Sequence, residues 1–99
     1  MINILNEKNF KFMTKDGIKL VFFTAPWCGY CSRQKPVLEE LSAHNYWIGE
    51  VNGDENPHLT TQYSIQAFPS FILFKNGNII SQFVGFHPKE ELIKMIKSV

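Results

Sequence analysis

Cys28 and Cys31 are the only two cysteines in the 99-residue chain, and two residues separate them. Thiols at this spacing can close a small disulfide ring and open it again. The strand-like run 21–25 precedes them, and a helical pattern follows over 32–43. Free N–H groups and the dipole at a helix start stabilise an anion, which lowers the pKa of a thiol in a Cys-x-x-Cys motif. We expect Cys28, at the mouth of the turn, to be the more exposed thiol and to ionise first, which predicts a redox-active dithiol.

A structural zinc site is the alternative interpretation of the two thiols. Such a site needs four ligands, so two more would have to come from elsewhere in the chain. The three histidines, His44, His58 and His87, are scattered and do not stand in metal-ligand spacing. We therefore favour redox chemistry and predict no bound metal or cofactor. The histidines are expected at the surface, with His87 capping the last helix.

The composition predicts a folded chain with balanced charge. Hydrophobic residues make up 44% of the chain and charged residues 19%, which supports a buried core. The formal net charge of +1 gives no electrostatic reason to expect nucleic acid or an anionic membrane surface as a partner. No apolar run approaches the ~20 residues that a membrane helix needs, and the polar residues within 1–10 do not resemble a signal peptide. We expect a cytoplasmic protein.

Hydrophobic patterning predicts alternating strands and helices. The run 18–25 is almost continuously apolar, as expected of a central strand that is covered on both faces. Asn76-Gly77 is a strong signal for a tight hairpin turn, because both central residues of that turn need a positive φ. Strands are predicted at 1–5, 18–25, 46–51, 70–75 and 78–84, and helices at 7–14, 32–43, 57–63 and from 88 onward.

These elements together predict an α/β fold. The last two strands are expected to be antiparallel, whereas strands joined by helical crossovers should be parallel. The expected result is a central mixed sheet of four to five strands, flanked by helices on both faces, in a single domain over residues 1–99. Pro36 lies inside the helix after the cysteines and is expected to kink it, because proline lacks a backbone donor.

Four features, in order along the chain, resemble the thioredoxin family. Residues 25–31 resemble its active-site segment, and Pro36 resembles its helix-kinking proline. Residues 67–70 resemble the loop whose proline is cis in the family, while 74–77 and 84–85 resemble its terminal hairpin and the glycine that follows. The match covers nearly the whole chain, and it implies a thioredoxin-like fold.

The resemblance implies a role for each cysteine. Cys28 would be the thiolate that attacks a target disulfide, and Cys31 would be the thiol that resolves the mixed disulfide. Pro69 would sit against the cysteines in a cis turn, and the backbone beside it would pair with an extended substrate segment. An apolar collar, consisting of Trp27, Phe68, Gly85 and Phe86, would surround the disulfide. The substrate-binding residues that the resemblance implies are Trp27, Gly29, Tyr30, Phe68, Pro69 and Gly85.

Two departures from the family pattern bear on the chemistry. Tyr30 stands where the family usually has a proline, and its extra N–H would stabilise the first thiolate and make the disulfide more oxidising. Typical members bury an aspartate beneath the second cysteine, beside a lysine on the neighbouring strand. Here those positions hold Phe22 and Glu50. We offer the hypothesis that Glu50, partly desolvated, is a proton relay that accepts the proton of Cys31 during resolution.

The sequence therefore predicts a protein-disulfide oxidoreductase that donates a dithiol to disulfide-containing target proteins. The resemblance implies a monomer without a bound cofactor, re-reduced by a thioredoxin-reductase-like flavoprotein and serving electron transport and cell redox homeostasis. One alternative keeps the chemistry but reverses its direction, to a disulfide isomerase or oxidase tuned by Tyr30. The other alternative is a non-catalytic binding module that uses the collar to hold a partner, and the presence of both cysteines argues against it.

Overall fold

Five strands and four helices make up the computed structural model, which covers residues 1–99. The strands are β1 (Asn3–Leu5), β2 (Ile18–Thr24), β3 (Ile48–Asn52), β4 (Ser70–Lys75) and β5 (Asn78–Val84). The helices are α1 (Phe10–Thr14), α2 (Gly29–Ala43), α3 (Pro57–Gln62) and α4 (Lys89–Lys97). None of these helices is long and apolar enough to cross a membrane.

The strands form one mixed sheet in the order β1-β3-β2-β4-β5, which confirms the predicted fold class. β1 and β2 both pair in parallel with β3, as expected of strands joined by helical crossovers. β4, in contrast, runs antiparallel to β2, with Ser70 opposite Phe23. The parallel expectation was wrong for β4 because α3 has only 6 residues, about 9 Å at 1.5 Å per residue. So short a helix does not carry the chain back along the sheet, and the chain re-enters it at the end where β3 finished.

β2 is the central strand, and it divides the core into two clusters. Successive side chains of a strand point to opposite faces of the sheet. Leu20 and Phe22 therefore pack with residues of α2 and α4 on one face. Val21 and Phe23 pack with residues of α1 and α3 on the other. Helices thus cover both faces of the sheet, as predicted, and the continuous apolar run is explained by burial on both sides.

α1 begins at Phe10, three residues later than predicted. The residues before it form a turn in which Asn6 Oδ1 accepts hydrogen bonds from the backbone N–H groups of Lys8 at 2.9 Å and Asn9 at 3.0 Å. An asparagine side chain that binds its own local backbone competes with helix formation. The apolar periodicity of this segment gave no sign of that turn.

The hairpin between β4 and β5 turns at Asn76 and Gly77, as predicted. Their φ values are +51° and +83°, in the left-handed region that the tight turn requires. β5 ends at Val84, and residues 85–87 lead from the sheet toward α4. These three residues are called the 85–87 loop below.

Candidate active site

The two cysteines lie at the start of α2 and form a disulfide, with their Cα atoms 5.3 Å apart. α2 begins at Gly29, three residues before its predicted start, so Cys28 is the N-cap and Cys31 lies in the first turn. The N-cap φ and ψ are −90° and 112°, which is the extended conformation that an N-cap residue adopts. β2 therefore leads through a short connection to the helix N-terminus on which the predicted thiol chemistry depends.

The local backbone favours negative charge on Cys28. Its Sγ accepts a hydrogen bond from the Cys31 backbone N–H at 3.2 Å, and it has no bond from the N–H of Tyr30. The positive end of the α2 dipole adds to this effect. Cys28 is 7% exposed and Cys31 is 3% exposed. Cys28 is thus the more accessible residue, as expected, although both are buried in the disulfide form.

Trp27 and Phe68 form the aromatic side of the site. Their rings meet edge to face with centroids 5.5 Å apart. The indole N–H of Trp27 donates to Asp54 Oδ2 at 3.0 Å, while the residue as a whole remains 68% exposed. Phe68 lies directly on Gly53, where a Cβ would overlap its ring. The contributions of Gly53 and Asp54 were not predicted, since both lie in a polar segment, 52–56, with no signal of a contact to the aromatic side chains.

Pro69 and Gly85 are brought together from distant parts of the chain. The Phe68–Pro69 peptide bond is cis, which confirms the expectation from the resemblance. The Gly85 N–H donates to the Pro69 carbonyl oxygen at 2.9 Å. Gly85 has a φ of +91°, a conformation that favours glycine. The backbone beside the cis proline is therefore fixed against the end of β5.

Exposed apolar side chains stand at the same end of the sheet. Tyr30 is 62% exposed in the first turn of α2, with the Arg33 guanidinium 5.7 Å from its ring centroid. Val84 and Phe86, on either side of Gly85, are also exposed. Val84 was not among the predicted residues, because an apolar residue at a strand end does not by itself indicate a binding surface.

Glu50 lies on β3 with a mostly buried side chain. It is 13% exposed, and its Oε1 is buried without a hydrogen bond. The Lys35 Nζ is 3.3 Å from that oxygen, which is within ion-pair distance although the geometry gives no hydrogen bond. Glu50, Lys35 and Cys31 line one cleft of about 230 Å³. The structure thus brings the predicted proton relay and the second cysteine to a shared cleft.

The position that holds aspartate in typical family members is apolar here. Phe22 is fully buried in the core cluster that contains both cysteines, and its ring centroid lies 5.4 Å from that of Phe71. Glu50 carries the only carboxylate in the cleft that Cys31 lines. The acidic group near the second cysteine has therefore moved from β2 to β3, as the sequence indicated.

The surface expectation holds for two of the three histidines. His44 and His58 are exposed, but His87 is half-buried. The His87 ring packs edge-on to Phe83 and Phe71, at 4.8 and 5.9 Å between centroids. Nor does His87 cap α4, whose N-cap is Pro88. The packing of the His87 ring against Phe83 and Phe71 was not predicted from the sequence. No group of three or more His, Cys, Asp or Glu side chains is placed to hold a metal ion.

Known proteins similar to this chain agree with the geometry. The family model described as Thioredoxin matches residues 1–98. A thioredoxin of Chlamydia caviae is 38% identical over 98 residues, which cover 97% of this chain and 96% of that protein. A thioredoxin of Alicyclobacillus acidocaldarius is 39% identical over 99 residues, with 96% and 94% covered. A thioredoxin of Staphylococcus aureus is 36% identical over 95 residues, with 93% and 91% covered.

Proposed function

The chain belongs to the thioredoxin family, and from this membership we propose that it acts as a dithiol donor that reduces disulfides in target proteins. It is a protein-disulfide oxidoreductase whose redox group is its own Cys28–Cys31 disulfide, so no bound cofactor takes part. The observation that carries the reducing direction is the hydrogen bonding of Cys28, because only the Cys31 N–H donates to its Sγ. In the disulfide form the extra N–H of Tyr30 does not reach the sulfur, and on this ground we propose that it adds no support to the thiolate.

In the first step the Cys28 thiolate attacks one sulfur of a target disulfide. A bond forms between Cys28 Sγ and that sulfur, the target S–S bond breaks, and the other target sulfur leaves as a thiolate. The α2 N-terminus and the Cys31 N–H at 3.2 Å support the attacking anion. The greater exposure of Cys28 supports its assignment as the attacking residue.

In the second step Cys31 loses its proton and attacks Cys28 Sγ. The Cys28–Cys31 bond forms, the mixed disulfide breaks, and the target leaves with both sulfurs reduced, so two electrons have passed from the dithiol to the target. Glu50 is the proposed proton acceptor, because it carries the only carboxylate in the cleft that Cys31 lines. The cleft of about 230 Å³ has room for water molecules that would link the two groups.

Targets are proposed to dock at the collar around the disulfide. Exposed aromatic rings give a large apolar contact area, and Trp27 and Phe86 are both exposed here. An extended target segment would pair with the backbone beside Pro69. The proposed substrate-binding residues are Trp27, Gly29, Tyr30, Phe68, Pro69 and Gly85.

We also propose that the 99 residues form one domain that works as a monomer in the cytoplasm. The continuous five-stranded sheet supports a single domain, and the balanced charge of +1 gives no reason to expect a membrane or nucleic acid partner. A thioredoxin-reductase-like flavoprotein would restore the dithiol and thereby maintain cell redox homeostasis. The monomer is favoured because targets and reductase both need a free collar.

The direction of the reaction is tested by the reduction potential of the Cys28–Cys31 pair. The protein is equilibrated with a thiol buffer of known potential, and the fraction of disulfide is measured. We expect a value near the reference for thioredoxin, about −270 mV, and not near the roughly −180 mV of protein disulfide isomerase. A value at the oxidising end would overturn the dithiol-donor proposal and favour the isomerase or oxidase alternative.

The roles of the two cysteines are tested by single substitutions. Cys28→Ser should abolish reduction of insulin, because no attacking thiolate remains. Cys31→Ser should still attack but should accumulate a mixed disulfide with the target, detectable by mass. If the trapped species forms in Cys28→Ser instead, the two roles are reversed. If both variants retain partner binding and the native protein reduces nothing, the binding-module alternative is correct.

A further inference from the structure

We propose that Gln34 is a positioning residue that fastens the 85–87 loop, and with it part of the collar, to the helix that carries the cysteines. Gln34 lies on α2, one turn after Cys31, and its side chain is fully buried with 0% exposure. This inference rests on the proposed docking of targets at the collar. It assigns a role to a residue that does not contact the sulfurs.

The side-chain amide of Gln34 makes two hydrogen bonds with the backbone of one residue. Its Oε1 accepts from the His87 N–H at 2.8 Å, and its Nε2 donates to the His87 carbonyl oxygen at 2.8 Å. Paired bonds of this kind resemble those that a neighbouring strand would make. β5 has already ended at Val84, so Gln34 supplies to His87 the partners that the sheet does not.

The loop is consequently held at both ends. At one end the Gly85 N–H donates to the Pro69 carbonyl oxygen at 2.9 Å. At the other end His87 is held by Gln34, while its ring packs against Phe83. Phe86, which is exposed and belongs to the collar, lies between the two attachments. The distance of Phe86 from the disulfide is therefore set by α2 and by the cis proline before β4 together.

The chemistry requires an amide at this position. The backbone N–H and C=O of His87 are partly buried, and losing their partners would cost free energy. An apolar side chain at position 34 could satisfy neither group. Without Gln34 the loop would keep its attachment to Pro69 and the packing of the His87 ring, but it would lose its hydrogen bonds to α2 and could move relative to the cysteines. This movement should weaken the binding of large targets, which contact both the collar and the disulfide. It should not affect a small disulfide that contacts only the sulfurs.

The test compares Gln34→Met, which keeps the length of the side chain but removes both hydrogen bonds, with Gln82→Met. Gln82 is a matched control, because its amide also donates a 2.7 Å hydrogen bond to a loop carbonyl, that of Tyr63, but it is exposed and lies outside the collar. Insulin serves as the protein disulfide and a small aryl disulfide as the minimal substrate. Urea unfolding confirms that each variant is folded.

We expect Gln34→Met to raise the KM for insulin about tenfold, the order of change that one or two lost hydrogen bonds produce. The kcat for insulin, the rate with the aryl disulfide and the reduction potential should stay at the values of the native protein. Gln82→Met should change none of them. Equal losses on both substrates, or no change in a folded variant, would show that Gln34 only fills the core.

Amide hydrogen exchange in the native protein gives a second test that needs no variant. The His87 amide should be protected like the Gly85 amide, because each donates to a fixed oxygen. A His87 amide that exchanges as fast as that of an exposed loop would overturn the proposal. This result is independent of the enzyme assay, so failure of the proposed function and failure of the Gln34 assignment can be told apart.

Discussion

The Lys35 ammonium lies 3.3 Å from the buried Oε1 of Glu50, and both residues line the cleft that Cys31 also borders. Lys35 is four residues after Cys31 on α2, so the two side chains share one face of the helix. The family pattern, an aspartate on one strand beside a lysine on the next, is thus replaced by a carboxylate on β3 and an amine on α2. A carboxylate and an amine therefore still lie near the second cysteine, although neither the aspartate nor the lysine of the family pattern is present at its own position.

Glu50→Gln should slow the resolution step, because the amide cannot accept the proton of Cys31. General acid–base groups contribute roughly a hundredfold or more to rate, and water in the cleft would replace part of this, so we expect a loss of about tenfold. The measurement is turnover of insulin against pH, together with release of a thiol from a mixed disulfide on Cys28.

Two further variants sharpen this test. Glu39→Gln is the control, since Glu39 borders a neighbouring cleft with Glu50 but not the one that Cys31 lines. Lys35→Met removes the ammonium 3.3 Å from Glu50 Oε1 but keeps the carboxylate, so it should slow resolution less than Glu50→Gln does. An unchanged profile in Glu50→Gln would remove Glu50 from the mechanism.

The main site could be predicted because its signals are local in the sequence. The Cys28 and Cys31 pair, the Pro69 segment and the turn at Gly77 are short patterns with a defined backbone requirement. The direction of β4 could not be predicted in the same way. It depends on the length of α3 relative to the sheet, and the boundaries of a short helix are poorly defined by sequence.

The contacts between side chains that are distant in the sequence could not be predicted either. Lys35, Gln34 and His87 each look like ordinary helix or loop residues, and their roles arise only when α2 packs against the sheet. The available signal was a glutamine that stands between Cys31 and Leu38 in the buried stripe of α2. A buried polar residue implies a hydrogen-bond partner, but the sequence does not identify that partner as the backbone of His87.

The Glu40–Lys89 pair between α2 and α4 should make stability depend on pH. The hydrogen bond from Lys89, and then its charge, hold the pKa of Glu40 below its ordinary value, and Glu40 likewise raises the pKa of Lys89. A lowered folded-state pKa gives stability that is present above the pKa of glutamate in the unfolded chain and is lost as pH falls through the folded value. The raised pKa of Lys89 gives stability that is present below the unfolded lysine pKa and is lost as pH rises through the folded value.

Lys89→Met should therefore lower the free energy of unfolding at neutral pH, and the difference from the native protein should disappear in acid. Because both side chains are on the surface, the effect should be small and should shrink in 1 M salt, where the Debye length is about 3 Å. Lys94→Met is the control, since Lys94 lies on the same helix and is in no ion pair. The same pH dependence in both variants would contradict the assignment to this pair.

Gly85→Ala and Gly29→Ala form a matched pair that isolates backbone strain. An added Cβ meets nothing within 4 Å at either position, but only Gly85 has a positive φ, of +91°. Gly85→Ala should lower the free energy of unfolding by about 1–2 kcal/mol. Gly29→Ala, in the first turn of a helix, should raise it by up to about 0.5 kcal/mol. Urea unfolding measures both, and equal effects would show that the φ of Gly85 relaxes without cost.

Tyr30→Pro restores the residue that the family usually has between the cysteines. Proline at this position removes an N–H, but in this structure the N–H that reaches Cys28 Sγ belongs to Cys31. Removal of the N–H of residue 30 should therefore leave the Cys28 thiolate almost as well supported as before. We expect the reduction potential to fall by no more than about 30 mV, a tenfold change in the equilibrium constant.

The measurement is equilibration with a thiol buffer, with Tyr30→Phe as the control that keeps the N–H. A fall of more than about 60 mV in Tyr30→Pro alone would show that the Tyr30 N–H supports the thiolate in the reduced protein, and it would favour the disulfide isomerase or oxidase alternative.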